Sequence, residues 1–161
     1  MRSRRAAIPA LYDHAVPVNV VTSIEIARPR AEVAAFACNP DNATAWYANI
    51  KSVEWQTQPP LAEGTEIAFV AKFLGRRIAY TYRVRELVEG QRFVMSTEQG
   101  PFPMRTAYSW TDAVSGTLMT LRNSGQPTGF GALAAPALAA AMGRANRKDL
   151  LRLKTILESR R

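Results

Sequence analysis

At 161 residues, with 47% hydrophobic and 21% charged residues, the chain is long enough to bury a core without disulfide or metal staples and too apolar for wholesale disorder. The single cysteine, Cys38, excludes an internal disulfide framework and suits a reducing compartment. A formal net charge of +8 raises nucleic acid as a partner, but the positive residues are scattered rather than gathered into a binding motif.

Residues 1–15 carry positive charge without the sustained apolar run of a secretory signal. A loose lead-in is expected there, followed by one domain over 16–161 and a cytoplasmic location. From Val18 the pattern alternates. Val18, Val20, Thr22, Ile24 and Ile26 share one face, which predicts a half-buried strand. Pro29 stands where a first helical turn tolerates proline, and Glu32, Val33, Phe36 and Ala37 follow at helical spacing. Asn39-Pro40 stops that helix, because the residue before proline is pushed out of the helical region. Cys38 falls in this apolar helix pattern and is expected to be a buried, inert thiol. A second short helix is predicted over Asp41–Trp46, then a strand over Val53–Thr57 ended by Gln58-Pro59-Pro60.

The middle of the chain is a run of strands. Thr65, Ile67, Phe69, Ala71 and Phe73 share a face, and Leu74-Gly75-Arg76 turns the chain. Ile78, Tyr80, Tyr82 and Val84 return, with Arg77, Arg83 and Arg85 opposite. After Glu89-Gly90 come Phe93, Met95 and Thr97, then the stiff loop Gly100-Pro101-Phe102-Pro103. Thr106, Tyr108 and Trp110 form the next inner face, and Met119 and Leu121 are assigned inward on the last strand. Short turns between antiparallel strands make a meander. From Gly131 the period becomes helical. Ala-rich sequence gives way to an apolar stripe of Leu150, Leu153, Ile156 and Leu157, with Arg144, Lys148 and Arg152 on another face. Pro136 fits a first turn or a bend, and Gly143 predicts a second irregularity.

Strand, two short helices, six strands and a long helix, in that order, resemble the START-like or SRPBCC superfamily, in particular its polyketide cyclase/dehydrase-like branch. The resemblance covers about residues 18–158. It rests on ARPRAEVAAFACNPDNATAWY, LAEGTEIAFVAKFLGRRIAYTYRVREL, GPFPM and GFGALAAPALAAAMGRANRKDLLRLKTILE. It implies an α+β helix-grip (START/Bet v 1-like) fold, in which a curved seven-stranded antiparallel sheet wraps a long C-terminal helix around an apolar cavity. It implies binding of lipids, polyketides or other apolar molecules, and not one reaction.

Strand parity points Phe69, Phe73, Tyr80, Tyr82, Phe93, Met95, Tyr108 and Trp110 toward the helix. Trp46 resembles the family's aromatic at the pocket mouth, and Phe102 its loop at the entrance. Met142 faces back from the long helix, where Ala139, Ala140 and Ala141 add little bulk. The expected ligand-binding set is Trp46, Phe69, Phe73, Tyr80, Tyr82, Phe93, Met95, Phe102, Tyr108 and Met142. Dense core packing is the competing role for each. Tyr80, Tyr82 and Tyr108 offer hydroxyls that need partners if buried. The glycine-rich segment 125–131 is either a gate or a plain turn into the helix.

Catalytic signals are sparse. His14 precedes the fold, and no metal-binding motif, phosphate loop or GxSxG appears. Glu25, Glu66 and Arg105 fall on the outer face unless a bulge reverses the parity. The leading expectation is a binding protein for a small apolar molecule, with no cofactor and no metal. A cyclase/dehydratase-like enzyme and a membrane-surface or protein-interaction module are the alternatives. The expected partners are an apolar ligand, no nucleic acid and at most a weak acidic membrane contact, for a monomer or homodimer.

Overall fold

Residues 17–161 are described by the structure, a computed structural model; the expectations for the lead-in and His14 lie outside the described residues. The elements are β1 (Val18–Ile26), α1 (Arg30–Cys38), a 3-10 turn (Pro40–Asn42), α2 (Ala43–Trp46), β2 (Ile50–Trp55), β3 (Glu66–Phe73), β4 (Arg76–Val88), β5 (Arg92–Thr97), β6 (Met104–Ala113), β7 (Gly116–Gly125), α3 (Phe130–Leu133) and α4 (Ala135–Glu158). All neighbouring strands are antiparallel, in the order β1-β7-β6-β5-β4-β3-β2. The segment holding α1 and α2 carries the chain from one sheet edge to the other. The meander then walks back until β7 pairs with β1.

The alternation that predicted β1 is visible in its burial. Val18, Val20, Thr22 and Ile26 are buried while Val21 is exposed. Two bulges displaced the expected strand limits. A register shift between Ile50 and Ser52 hides the start of β2, which lies at Ile50 and not Val53. A second shift between Val84 and Glu86 resets the parity of β4, which continues to Val88. Such bulges bend a sheet, and a bent sheet leaves space beneath it. The β3–β4 turn has Leu74 at φ 49° and Gly75 at φ 77°, the two positive angles of a tight hairpin turn.

Prolines punctuate the helices as expected. The Pro29 carbonyl accepts from the N–H groups of Glu32 and Val33. Asn39 is extended before Pro40, and its side-chain oxygen accepts from the Asp41 N–H at 3.0 Å. Pro136 lies in the first turn of α4. Gly143 produces no break: α4 runs through it, and Gly143 is buried against Val20 of β1.

The C-terminal half of α4 anchors the helix. Leu150, Leu153 and Leu157 are fully buried with Ile26, Trp110, Met119 and Leu121. Each buried leucine contributes about 1.5–3 kcal/mol relative to exposure. Polar contacts close the same end. Arg28 Nε donates to the Leu157 carbonyl at 2.9 Å, the Ala27 N–H donates to Glu158 Oε1 at 2.8 Å, and Lys154 Nζ donates to the Glu25 carbonyl at 2.7 Å.

Leu153→Ala is expected to cost about 2–5 kcal/mol in urea unfolding, because it empties a site packed on all sides. Gly116→Ala is expected to cost more than about 1 kcal/mol, since φ is 151° and a Cβ would lie 2.3 Å from the Ile26 carbonyl oxygen. Unchanged midpoints would contradict this account of the core and the β6–β7 turn.

Candidate functional site

Between the bent sheet, α1–α2 and the first half of α4 lies a cavity of about 410 Å³. The ten side chains singled out by sequence all line it. Phe69 and Phe73 come from β3, Tyr80 and Tyr82 from β4, Phe93 and Met95 from β5, and Tyr108 from β6. Trp46 enters from α2, Phe102 from the β5–β6 loop and Met142 from α4. Trp110 shares the inner face but packs among the α4 leucines and does not line the cavity. The exposed Leu74, Arg76, Gly100 and Pro101 also line it, so its rim is the β3–β4 turn and the β5–β6 loop.

Aromatic rings define the wall. Tyr80 and Tyr82 meet edge to face at 5.4 Å, Phe69 lies 5.9 Å from Tyr80, and Trp46 is 5.9 Å from Tyr108. Gly125 lets the rim loop close over the end of β7; a Cβ there would come within 2.8 Å of the Phe102 ring.

The alanine run does not face the cavity. The lining residues of α4 are Leu138, Met142, Ala145, Asn146 and Asp149, one stripe at helical spacing. Ala139 lies a step around the helix, against Val18 and Val20, and Ala140 is exposed. Ala145 is the small residue on the inward stripe.

Sequence reasoning named the hydroxyls of Tyr80, Tyr82 and Tyr108 but missed Asn123, Asn146 and Asp149. Asn146 Nδ2 donates to Asn123 Oδ1 at 2.7 Å, and Asn123 Nδ2 donates to Thr106 Oγ1 at 2.9 Å. Thr106 Oγ1 lies 3.3 Å from the Tyr82 hydroxyl. This ladder ties α4 to β7, β6 and β4 across the cavity wall. A second pair joins the hydroxyls of Tyr47 and Tyr108 at 2.5 Å. Tyr80 has no hydrogen-bond partner among the described residues.

A proton count shows what remains. Thr106 and Tyr82 carry two hydroxyl protons and share one between them, so one is free to donate. Tyr47 and Tyr108 leave another by the same count. Burial pushes all four tyrosine hydroxyls, those of Tyr47, Tyr80, Tyr82 and Tyr108, above the usual range, so they stay neutral donors. Burial also pushes the Cys38 thiol up to about 12, which makes it a poor nucleophile although it lines the cavity.

Asp149 is the one carboxyl group on the wall among the described residues and is only 3% exposed. Its Oδ1 accepts from the Ala48 N–H at 3.0 Å. Burial raises its pKa, opposed by the Ala48 hydrogen bond and the nearby Arg152. Glu25, Glu66 and Arg105 stay on the outer face, with Glu66 3.7 Å from Arg83, and none lines the cavity. No three His, Cys, Asp or Glu side chains gather as a metal site among the described residues. Within those residues no helix is long and apolar enough to cross a membrane.

The chain belongs to the polyketide cyclase/dehydrase and lipid transport family, within the SRPBCC superfamily; the family model matches residues 17–158. No curated protein matches the sequence. Among solved structures, TTHA0849 from Thermus thermophilus is similar at TM-score 0.76 and 18% identity, covering 88% of this chain and 99% of that one. The di-domain ARO/CYC StfQ from the steffimycin biosynthetic pathway is similar at TM-score 0.74 and 12% identity, over 89% of this chain and 52% of that one. The match therefore spans about half of the di-domain's length. Ara h 8.0201 is similar at TM-score 0.70 and 11% identity, over 89% of this chain and 99% of that one. At these identities the likeness shows the helix-grip fold.

Asp149→Asn keeps the acceptor for Ala48 and removes a buried charge. A raised native pKa means that the native state holds a proton the unfolded state releases, so wild-type stability falls as pH rises from the unfolded carboxylate pKa through the native one. The variant is therefore expected to be the more stable near pH 7, with the gap closing in acid. Parallel pH–urea curves for the two proteins would contradict this.

Proposed function

We propose that the protein binds a small apolar molecule in the cavity between the sheet and α4. The observation that carries this is the cavity of about 410 Å³ walled largely by aromatic rings, with few polar groups, most of them in the Asn146–Asn123–Thr106–Tyr82 ladder and the Tyr47–Tyr108 pair. Ligand sites have this composition: an apolar wall gives affinity and sparse polar groups give orientation. The family supports the reading, since its description includes lipid transport. On this reading Trp46, Phe69, Phe73, Tyr80, Tyr82, Phe93, Met95, Phe102, Tyr108 and Met142 contact the ligand. We place the protein in the cytoplasm as a monomer or homodimer, where Cys38 stays reduced. The exposed Arg144, Lys148 and Arg152 face of α4 gives at most a weak contact with acidic membrane.

Ala145→Trp tests the cavity directly, because the indole would occupy the space beside Met142. Wild type is expected to enhance the fluorescence of the neutral probe N-phenyl-1-naphthylamine saturably, at one site. The variant, folded by circular dichroism, is expected to lose at least about tenfold in affinity, about 1.4 kcal/mol. Equal binding by both proteins, or none by wild type, would sink the proposal.

One observation favours a second reading, a cyclase/dehydratase-like enzyme. The Asn146–Asn123–Thr106–Tyr82 ladder delivers a neutral hydroxyl donor to an apolar chamber. In an intramolecular aldol closure, the enol tautomer of the substrate would attack a second carbonyl; the hydroxyl would give its proton to the oxygen that develops charge as the carbon–carbon bond forms and take back the proton released by the enol oxygen, so the pair ends as it began. With a poly-β-ketone thioester analogue as substrate, Tyr82→Phe is expected to lower kcat by about 10²–10⁴-fold with little change in binding. Ring closure at the uncatalysed rate with wild-type protein would end this reading.

A further inference from the structure

The cavity holds one feature that apolar binding does not require. Asp149 is a buried carboxyl group on a wall of aromatic rings. Among the described residues it receives one hydrogen bond, from Ala48, and forms no ion pair. A buried charge with one partner is costly unless something completes its shell. A purely structural tie to the Ala48 loop needs only one acceptor oxygen, which a neutral amide supplies without that cost.

The groups around Asp149 fix what would complete it. From α2 and its C-cap, Trp46 and Tyr47 lie against α4's wall, and Tyr47 is close enough to Asp149 to feel its charge. Tyr108 reaches the Tyr47 hydroxyl from β6, and Cys38 on α1 is a neutral thiol. On α4 itself, Arg152 lies within electrostatic reach but is exposed. Lys51 of β2 donates to the Ala48 carbonyl on the solvent side. Arg76, the one cationic side chain on the cavity wall among the described residues, sits exposed at the rim, on the β3–β4 turn. Among the described residues the interior thus presents a carboxyl group, aromatic rings and no cation.

We propose that the cavity selects apolar aromatic molecules carrying a basic nitrogen, with the protonated amine held by Asp149 on the wall it shares with Trp46, Tyr47 and Tyr108. An ammonium group supplies both the hydrogen-bond donors and the opposite charge that the free Asp149 oxygen lacks. An aromatic wall tolerates the same cation better than an aliphatic one, since an open ring face attracts it. A carboxylate ligand meets like charge at the same point. This inference rests on the cavity-binding reading and adds the ligand's charge to it.

The test is a charge series on one apolar body: 1-naphthylmethylamine, 1-ethylnaphthalene and 1-naphthylacetate, each titrated by calorimetry at pH 7 into the full chain. The amine is expected to bind at least about tenfold tighter than the hydrocarbon, and the carboxylate more weakly than either. In Asp149→Asn the amine and the hydrocarbon are expected to converge to within about threefold of each other. Binding of the hydrocarbon with no preference for the amine overturns this inference and leaves the cavity reading intact. A preference that survives in Asp149→Asn also overturns it. If none of the three binds, both readings fail. The wild-type series stands alone as a test should the variant prove unstable.

Discussion

The structure depends on how one face of α4 meets a bent sheet. Along that face the residues change character. Leu150, Leu153 and Leu157 fill the space under β1, β6 and β7 and clamp the helix. One to three turns earlier the same stripe holds Met142, Ala145, Asn146 and Asp149, and there the sheet has curved away. The bulges in β2 and β4 lie on that side of the sheet. A helix clamped at one end over a sheet that bends at the other leaves a chamber, and close packing elsewhere keeps it from collapsing.

The chamber combines two chemistries. Its rings supply the apolar contact that drives binding of small molecules from water. Asn123, Asn146 and three of its tyrosines are hydrogen-bonded within the wall, which limits their cost, while the Tyr80 hydroxyl and the buried Trp46 Nε1 have no partner among the described residues and remain directed donors. The Asn146–Asn123–Thr106–Tyr82 ladder has a structural role as well, since it joins α4 to three strands across the wall. Asp149 stands apart because its charge is not matched inside the wall.

Much of this was legible in the chain. Period-two alternation located the inner faces of β1, β3, β4, β5 and β6, and the aromatics on those faces, Trp110 excepted, are the ones around the cavity. The helix phase was harder. The alanine run suggested the thin part of the lid, but helical spacing backward from Leu150 and Leu153 lands on Asn146, Asp149, Ala145 and Met142. Those polar residues on an apolar stripe were the missed signal. Asn123 was equally available, because it shares parity with Met119 and Leu121. The bulges were not legible, since a register shift depends on both strands of a pair and erases the local period that would reveal it.

The most direct test of a ligand-binding chamber is native mass spectrometry of the full chain purified without denaturation, followed by organic extraction. The account predicts a stoichiometric mass increment that disappears on extraction, with the released compound apolar and small enough for about 410 Å³. Protein that stays at its bare mass, and takes up none of a panel of apolar compounds added afterwards, would contradict it.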